Sequence, residues 1–308
     1  MIEYYLMIVG ATILYSIQFI FTKLYQCKKG STFFYSMIFG AVSSISAFAF
    51  LFVLNRGNVE FTPFSFWIAL AFAVDVTLCT VFGAKTLSRA NLSVYSLFMM
   101  LGGMILPVLY GLTLGESFTV MKALAIVSMI IAMICPLKKE EGKKTDVFTI
   151  ICFIAIFITN GMMGVLTFAH QRAEQETVSP NGLVMLYNLC RLAICLLLIL
   201  GVYIYGKTKN AEVLQVSGAL ESKREQSKKR DWLIAITASV GYSLVNGTAM
   251  LLTTITAKSV DAGVQSTIVT GGVMLLSAIS GMFFGEKSTV RTWLGMFFAL
   301  LGTVLIVL

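Results

Sequence analysis

Gly115-Glu116-Ser117-Phe118-Thr119 recurs as Gly285-Glu286-Lys287-Ser288-Thr289, and this repeat decides the fold. The same separation of 170 residues aligns five further identical pairs, which are Val94 with Val264, Ser96 with Ser266, Gly102 with Gly272, Met104 with Met274, and Gly111 with Gly281. Self-similarity at one fixed separation indicates an internal duplication. The two halves of the chain are therefore predicted to be related.

The segments around the repeat are too apolar for a soluble protein. Hydrophobic residues make up 57% of the 308 residues and charged residues only 12%, with a mean hydropathy of +0.87. A soluble domain carries roughly a quarter charged residues. We therefore expect an integral, multi-pass membrane protein whose partners include the lipid bilayer.

Ten apolar runs are long enough to cross a bilayer, since a span needs about 20 residues. They lie at 4–24, 33–54, 64–86, 93–114, 118–137, 147–170, 182–206, 232–256, 262–284 and 289–308. We predict an all-α fold with one five-helix repeat in residues 1–137, a basic linker at 138–146, and a second repeat in 147–308 that contains the polar loop 207–231. Because five is odd, the second repeat enters the membrane inverted, as in many transporters.

Basic residues mark one side of the predicted membrane topology. Eighteen of the 23 Lys and Arg residues fall on one side and four on the other, while Arg191 lies within a span. Lys and Arg concentrate in cytoplasmic loops. The count places the linker and the polar loop in the cytoplasm and both termini outside.

Several function classes lack their sequence signatures. The six cysteines form no Cys-x-x-Cys or Cys/His cluster, and no Gly-rich loop ends in Lys-Ser/Thr. The basic residues lie in loops and not along a groove with stacking aromatics, which disfavours nucleic acid as a partner. We expect no cofactor, no metal and no enzymatic activity.

The chain resembles the EamA-type drug/metabolite transporter superfamily. The resemblance rests on the ten-span plan, the related halves, the Gly-Glu turn before each last helix, and the Ala/Ser-rich entry to the fourth helix of each half. Tyr15-Ser16-x-Gln18 with Lys23 resembles the family's first-helix pattern, although Gln18 replaces Asn and Ser16 replaces Gly. Leu87-Ser88-Arg89 and Ala257-Lys258 resemble its third-helix end. The family usually has cytoplasmic termini, in contrast to the charge count.

Two ionisable residues lie in the middle of predicted spans. A charge at this depth costs at least about 2.5 to 3.5 kcal/mol, so Asp75 and Arg191 should face the bundle interior. They form either a buried ion pair or part of a substrate pathway, in which Asp75 takes up a coupling proton and Arg191 holds an anionic group.

Polar residues at similar depth on the first, sixth, seventh and eighth spans extend this candidate site. They are Tyr15, Gln18, Asn160, Tyr187, Asn188, Tyr242 and Asn246. Each amide alone serves helix packing as well as binding, but their concentration favours a substrate site.

Three residues outside this set are assigned structural roles. Glu116 and Glu286 are predicted to serve their turns, each placed at the N-terminus of the next helix. His170, the one histidine in the sequence, is expected at the surface.

These features predict a secondary transporter that moves a small polar metabolite by alternating access. Amino acids, nucleobases, sugars, amines and drug-like solutes all remain open as substrates. A non-transporting scaffold or receptor is the alternative, followed by a membrane enzyme. We expect the chain in a bacterial plasma membrane.

The charge count predicts that residues 138–146 and 207–231 face the cytoplasm. Cysteines introduced into these loops should resist a membrane-impermeant thiol reagent in intact cells and react after permeabilisation. Modification in intact cells would instead support cytoplasmic termini.

Overall fold

The computed structural model describes residues 2–30, 32–87, 92–134, 147–208, 225–283 and 290–307. These residues form ten helices: α1 (Ile2–Lys29), α2 (Phe33–Leu54), α3 (Pro63–Leu87), α4 (Leu92–Thr113), α5 (Val120–Ile134), α6 (Val147–Gln171), α7 (Pro180–Thr208), α8 (Glu225–Thr256), α9 (Ala262–Phe283) and α10 (Val290–Val307). The predicted linker 138–146, most of the polar loop, and the Gly285–Thr289 copy of the repeat lie outside the described residues.

The predicted all-helical, membrane-spanning character is confirmed. Six of the helices are long and apolar enough to cross a membrane, and shorter apolar segments lie in α4, α5, α9 and α10 of the described chain. Large apolar side chains such as Trp67, Leu197 and Phe297 are more than half exposed. Helices suit this environment because each one satisfies its own backbone hydrogen bonds without water.

Helix α8 begins earlier than hydropathy predicts. The apolar run starts at Trp232, but the helix starts at Glu225 and includes a polar first section. Asp231 in this section pairs with Lys28 of α1 at 3.4 Å, and Lys29 Nζ lies 3.6 Å from the centre of the Trp232 ring. The first section of α8, which hydropathy alone does not predict, thus contacts the end of α1.

The bundle interleaves the two halves of the sequence. Helix α1 packs on α8 and α9, whereas α6 packs on α3 and α4; α2 packs on α7, α4 on α9, and α5 on α10. The principal interfaces therefore join a helix of the first half to a helix of the second. A space enclosed by the bundle necessarily has walls from both halves.

Glycines permit the closest of these approaches, between α4 and α6. A Cβ on Gly102 would collide with the backbone carbonyl of Phe157, and a Cβ on Gly161 would lie 2.5 Å from the carbonyl oxygen of Gly102. One turn further on, a Cβ on Gly164 would lie 2.7 Å from Pro107 Cγ. Small residues let membrane helices approach to backbone contact, and this contact sets the position of α4.

Gly102→Ala should lower the stability of the purified protein, because α4 and α6 must separate to admit the methyl group. Overpacking of this kind costs about 1 to 3 kcal/mol. Gly201→Ala is the matched control, since nothing lies within 4 Å of a Cβ at that position in α7. Thermal denaturation in detergent measures both variants. An unchanged melting temperature for Gly102→Ala would contradict the α4–α6 contact.

Candidate functional site

A large cavity lies between the two halves of the bundle. Its volume is about 380 Å³, and α1 to α4 and α6 to α9 all contribute to its walls, whereas α5 and α10 do not. This size is in the range of small-molecule sites. The cavity is the candidate functional site among the described residues.

Seven of the nine residues predicted from the sequence line this cavity. They are Tyr15, Gln18, Asn160, Tyr187, Arg191, Tyr242 and Asn246. The structure thus brings together residues from α1, α6, α7 and α8. Whether they bind a substrate stays a prediction.

The structure places the other two predicted residues outside the cavity wall. Asn188 is 4% exposed and donates to the carbonyl of Val184 in its own helix at 2.8 Å. Asp75 lies on α3 beside the lining residue Val76, but it is not itself among the lining residues. Its Oδ2 is buried and accepts no hydrogen bond. A polar residue one helix position from a cavity face looks the same in sequence as one that lies on it.

Arg191 does not form the ion pair with Asp75 that the sequence allowed. Its side chain is 5% exposed, and Nη1 donates to the hydroxyl of Tyr187 at 3.3 Å. Helix α2 approaches the guanidinium closely, since a Cβ on Gly40 would lie 3.7 Å from Nη2. Tyr242 of α8 lines the same cavity. Among the described residues, no carboxylate lies within ion-pair distance of Arg191.

Amide groups line the wall near the centre of the bundle. Asn160 Nδ2 donates to the carbonyl of Met99 at 2.6 Å, and Gln265 Nε2 donates to the carbonyl of Thr253 at 2.8 Å. The Oε1 atoms of Gln18 and Gln265 are buried without a hydrogen-bond partner. The amides therefore serve both packing and the wall of the cavity.

Sequence reasoning missed several lining residues. Gln265 occurs in the ninth span, where its polar side chain was a signal that the prediction did not use. Met99 and Met100 of α4 line the cavity together with Met163 and Met250. Met104, also on α4, has no exposed surface and lies outside the cavity wall. Helical spacing alone does not separate these methionines, since all three on α4 lie within two turns.

The cavity reaches one end of the bundle, where α1 ends and α2 begins. Gly30 and Ser36 line it there. Tyr25 Oη donates to the carbonyl of Tyr35 at 2.8 Å, which ties the two helices together beside this opening. We call this end, defined by Gly30 and residues 32–36, the open end.

A buried ion pair occupies the opposite end, which we call the closed end, formed by residues 55–62, 114–119, 172–179 and 257–261. Arg172 Nη1 lies 2.9 Å from Glu116 Oε1. The same guanidinium donates to the carbonyls of Ala257 at 3.0 Å and Val260 at 2.7 Å. Glu116 also accepts from the backbone N–H of Ala262 at 2.7 Å. Three connecting segments are thus joined through one carboxylate.

This contact corrects the role predicted for Glu116. The carboxylate does not cap α5, the next helix, but lies at the N-terminus of α9 in the other half of the chain. A carboxylate is favourable at a helix N-terminus because the free N–H groups there carry partial positive charge. The turn supplies the required geometry, since Gly115 has φ +84°. Which helix receives the carboxylate depends on long-range packing.

Glu60 and His170 add two further contacts at the closed end. Glu60 accepts from the N–H of Ser179 at 2.5 Å and from its hydroxyl at 2.7 Å, immediately before α7 begins. His170 is fully buried and its Nε2 lies 2.8 Å from Ser65 Oγ of α3. The prediction of a surface histidine was wrong, because the end of α6 is covered by α3. These contacts seal the cavity on this side.

The described residues do not bring together three His, Cys, Asp or Glu side chains that could hold a metal ion. No family model matches the chain, and no curated protein matches it. A solved structure described as "Crystal structure of protein" is similar to it, with a TM-score of 0.62 and 14% sequence identity over 98% of this chain and 96% of that one. At this identity the similarity concerns the fold alone, and it extends over the whole bundle.

Because Asp75 and Arg191 do not form an ion pair, we predict that substitutions at these two positions change the free energy of unfolding independently. The effects of Asp75→Asn and Arg191→Gln should add within about 0.5 kcal/mol in the double variant. Arg191→Gln alone should not lower the melting temperature, because it removes a buried charge that has no carboxylate partner. An ion pair would instead cost about 3 to 5 kcal/mol on single neutralisation. Denaturation of the four proteins distinguishes the two arrangements.

Proposed function

We propose that this protein is a secondary transporter that carries a small solute across the membrane by alternating access. One observation carries the proposal: a cavity with walls from both halves is open toward one end of the bundle and sealed at the other by a buried polar network. A solute site between two halves is the arrangement that such transporters use.

The packing of the helices supports an inverted repeat of ten spans. A two-fold relation would exchange each helix of α1–α5 with its counterpart in α6–α10, so that α1 corresponds to α6 and α4 to α9. Under this exchange the contact between α1 and α8 corresponds to that between α6 and α3, and the contact between α4 and α6 to that between α9 and α1. All four contacts are observed. The pairs α2·α7, α4·α9 and α5·α10 convert into themselves. Such self-pairs are expected on a two-fold axis between the halves, and the odd number of helices makes that axis lie in the membrane plane.

Individual residues support the same relation. Ser128 Oγ of α5 donates to the carbonyl of Phe298 in α10 at 2.7 Å, and these residues are 170 positions apart, the separation of the sequence repeat. Gln18 and Asn160 each lie eleven residues before the last residue of α1 and α6, respectively. Both line the cavity. Residues at the same distance from the ends of these two helices thus line the same cavity.

The closed end sets the energetic requirement for alternation. Opening it separates Glu116 from Arg172, whose side chains are only 8% and 19% exposed. Breaking a buried pair costs several kcal/mol unless each group finds a new partner. Contacts that form at the other end as it closes must offset this cost. In the sequence repeat, Glu286 is the equivalent of Glu116.

Proton coupling through Asp75 remains part of the proposal. Its carboxylate lies one turn of α3 from Cys79, a cavity-lining residue, and has an unpaired oxygen. Protonation removes the cost of keeping a charge in this environment. Asp75→Asn should fold and lose the dependence of flux on pH.

A scaffold or receptor is the alternative, and a scaffold has no need of a cavity spanning both halves. The resemblance to EamA-type drug/metabolite transporters and a location in a bacterial plasma membrane belong to the same proposal. The ten-helix apolar bundle is consistent with the resemblance, whereas the bacterial location rests on the sequence resemblance alone.

A substitution that fills the cavity should abolish solute flux into proteoliposomes. Val76→Trp places a large side chain in the cavity wall of α3, and we expect at least a tenfold loss of flux for solutes that raise the melting temperature of the wild-type protein. Leu78→Trp is the matched control, because Leu78 is 43% exposed on the outer face of the same helix. Equal flux in both folded variants, or no flux of any stabilising solute, would contradict the transporter proposal.

A further inference from the structure

Arg191 is the cavity-lining residue with a formal charge among those that the structure describes. The other lining residues are aliphatic, aromatic, sulfur-containing, hydroxyl or amide side chains, together with glycines. The cavity wall formed by these residues therefore carries one positive charge. A solute that neutralises this charge gains an interaction that a neutral solute lacks.

The guanidinium of Arg191 is buried without a negatively charged partner among the described residues. It is 5% exposed, and its polar partner is the neutral hydroxyl of Tyr187 at 3.3 Å. A buried charge without a counter-ion is costly, and arginine remains protonated at any physiological pH. Its planar set of donors matches a carboxylate with two parallel hydrogen bonds. These properties favour a carboxylate as the charged group of the ligand.

Two pairs of aromatic side chains line the same cavity as the guanidinium. Phe72 and Tyr187 form one edge-to-face pair and Phe39 and Tyr242 another, each with ring centroids 4.8 Å apart. All four residues line the cavity, and methionines of α4, α6 and α8 continue its apolar surface. Aromatic and thioether groups of this kind bind apolar or aromatic bodies. The wall thus offers one anion-binding group within an apolar pocket.

We propose that the solute of this site is a small organic monocarboxylate with an apolar or aromatic body, bound through its carboxylate to Arg191. This inference rests on the proposed transporter function and specifies its substrate class. A dianion would leave one negative charge uncompensated by the described lining residues. A cationic amine would meet a like charge, which is costly at such distances.

The basic end of the bundle is also where the cavity opens. Lys23, Lys28 and Lys29 occur in the last two turns of α1, which ends at Gly30 beside the opening. A positive field at the mouth of a cleft raises the local concentration of anions. Entry and binding therefore favour the same sign of solute charge.

A set of probes with one benzyl body tests the charge requirement. Phenylacetate, phenylacetamide, phenethylamine and benzylphosphonate present a monoanion, a neutral group, a cation and a phosphonate anion; benzoate and hexanoate vary the body of the monocarboxylate. Calorimetric titration into the purified protein at neutral pH should detect binding of the monocarboxylates, with the amide and the amine at least about tenfold weaker. Absence of binding by every monocarboxylate, or tighter binding of the amide, the amine or the phosphonate, overturns the inference.

Variants of Arg191 connect that binding to the guanidinium. Arg191→Gln should weaken monocarboxylate binding by about 10- to 100-fold, and Arg191→Lys should retain part of it without the two-bond geometry. Lys258→Gln is the matched control, because it removes one positive charge from an exposed position outside the cavity. Unchanged affinity in folded Arg191→Gln overturns the inference. If Arg191→Gln does not fold, the folded Arg191→Lys variant decides. Weaker monocarboxylate binding than in the wild type supports the inference, and unchanged affinity overturns it.

Flux measurements separate this inference from the proposed function. If proteoliposomes transport labelled phenylacetate with a dependence on Arg191, both stand. Binding that depends on Arg191 without flux of any monocarboxylate sustains the anion site and counts against a transporter. Flux of the amide or the amine that survives Arg191→Gln sustains a transporter and rejects the monocarboxylate class.

Discussion

The absence of water in the hydrocarbon region constrains every polar group of this bundle. Backbone groups meet the constraint by forming helices. Hydroxyl groups meet it by donating to carbonyls of their own helix, as Thr12 does to Ile8 and Thr159 to Ala155, both at 2.8 Å. Side chains that cannot be satisfied locally must find partners on other helices or face an internal space. The positions of Arg191 and the cavity amides follow from this requirement.

Three of the six buried polar atoms that have no partner among the described residues belong to the cavity region; the others, on Ser44, Asn181 and Thr267, lie outside its wall. The Oε1 atoms of Gln18 and Gln265 and the Oδ2 of Asp75 are buried and unpaired, and they lie in or beside the cavity. An unpaired buried acceptor costs about 1 to 3 kcal/mol. A solute that donates to these atoms recovers part of that cost. The same reasoning applies to the guanidinium, with a larger energy because it is charged.

The two ends of the bundle differ in how they are held. At the closed end, carboxylates of the first half, Glu60 and Glu116, lie at the N-termini of α7 and α9 in the second half. Each contact joins the halves directly, and the Glu116 side chain is only 8% exposed. The cavity opens instead near Gly30 and Ser36, where the observed ion pair between Lys28 and Asp231 is about one third exposed. Exposed pairs contribute little stability, whereas the described pair of the closed end, Glu116 with Arg172, is more deeply buried.

The sequence by itself determined the helices, because hydropathy and length act locally and reflect the surrounding lipid. It also indicated the duplication through Gly115-Glu116 and its copy, and it selected seven residues that the fold brings to one cavity. Tertiary structure alone decided which helix receives the carboxylate of Glu116, that His170 is covered by α3, and that Asp75 lies beside the cavity wall while Arg191 lies on it. These outcomes depend on helix rotation and on partners more than 50 positions away in the chain. Sequence periodicity constrains neither the rotation of a helix nor the choice of its distant partners. A shift of one helix position turns a side chain by about 100°, which is enough to move it off the cavity wall.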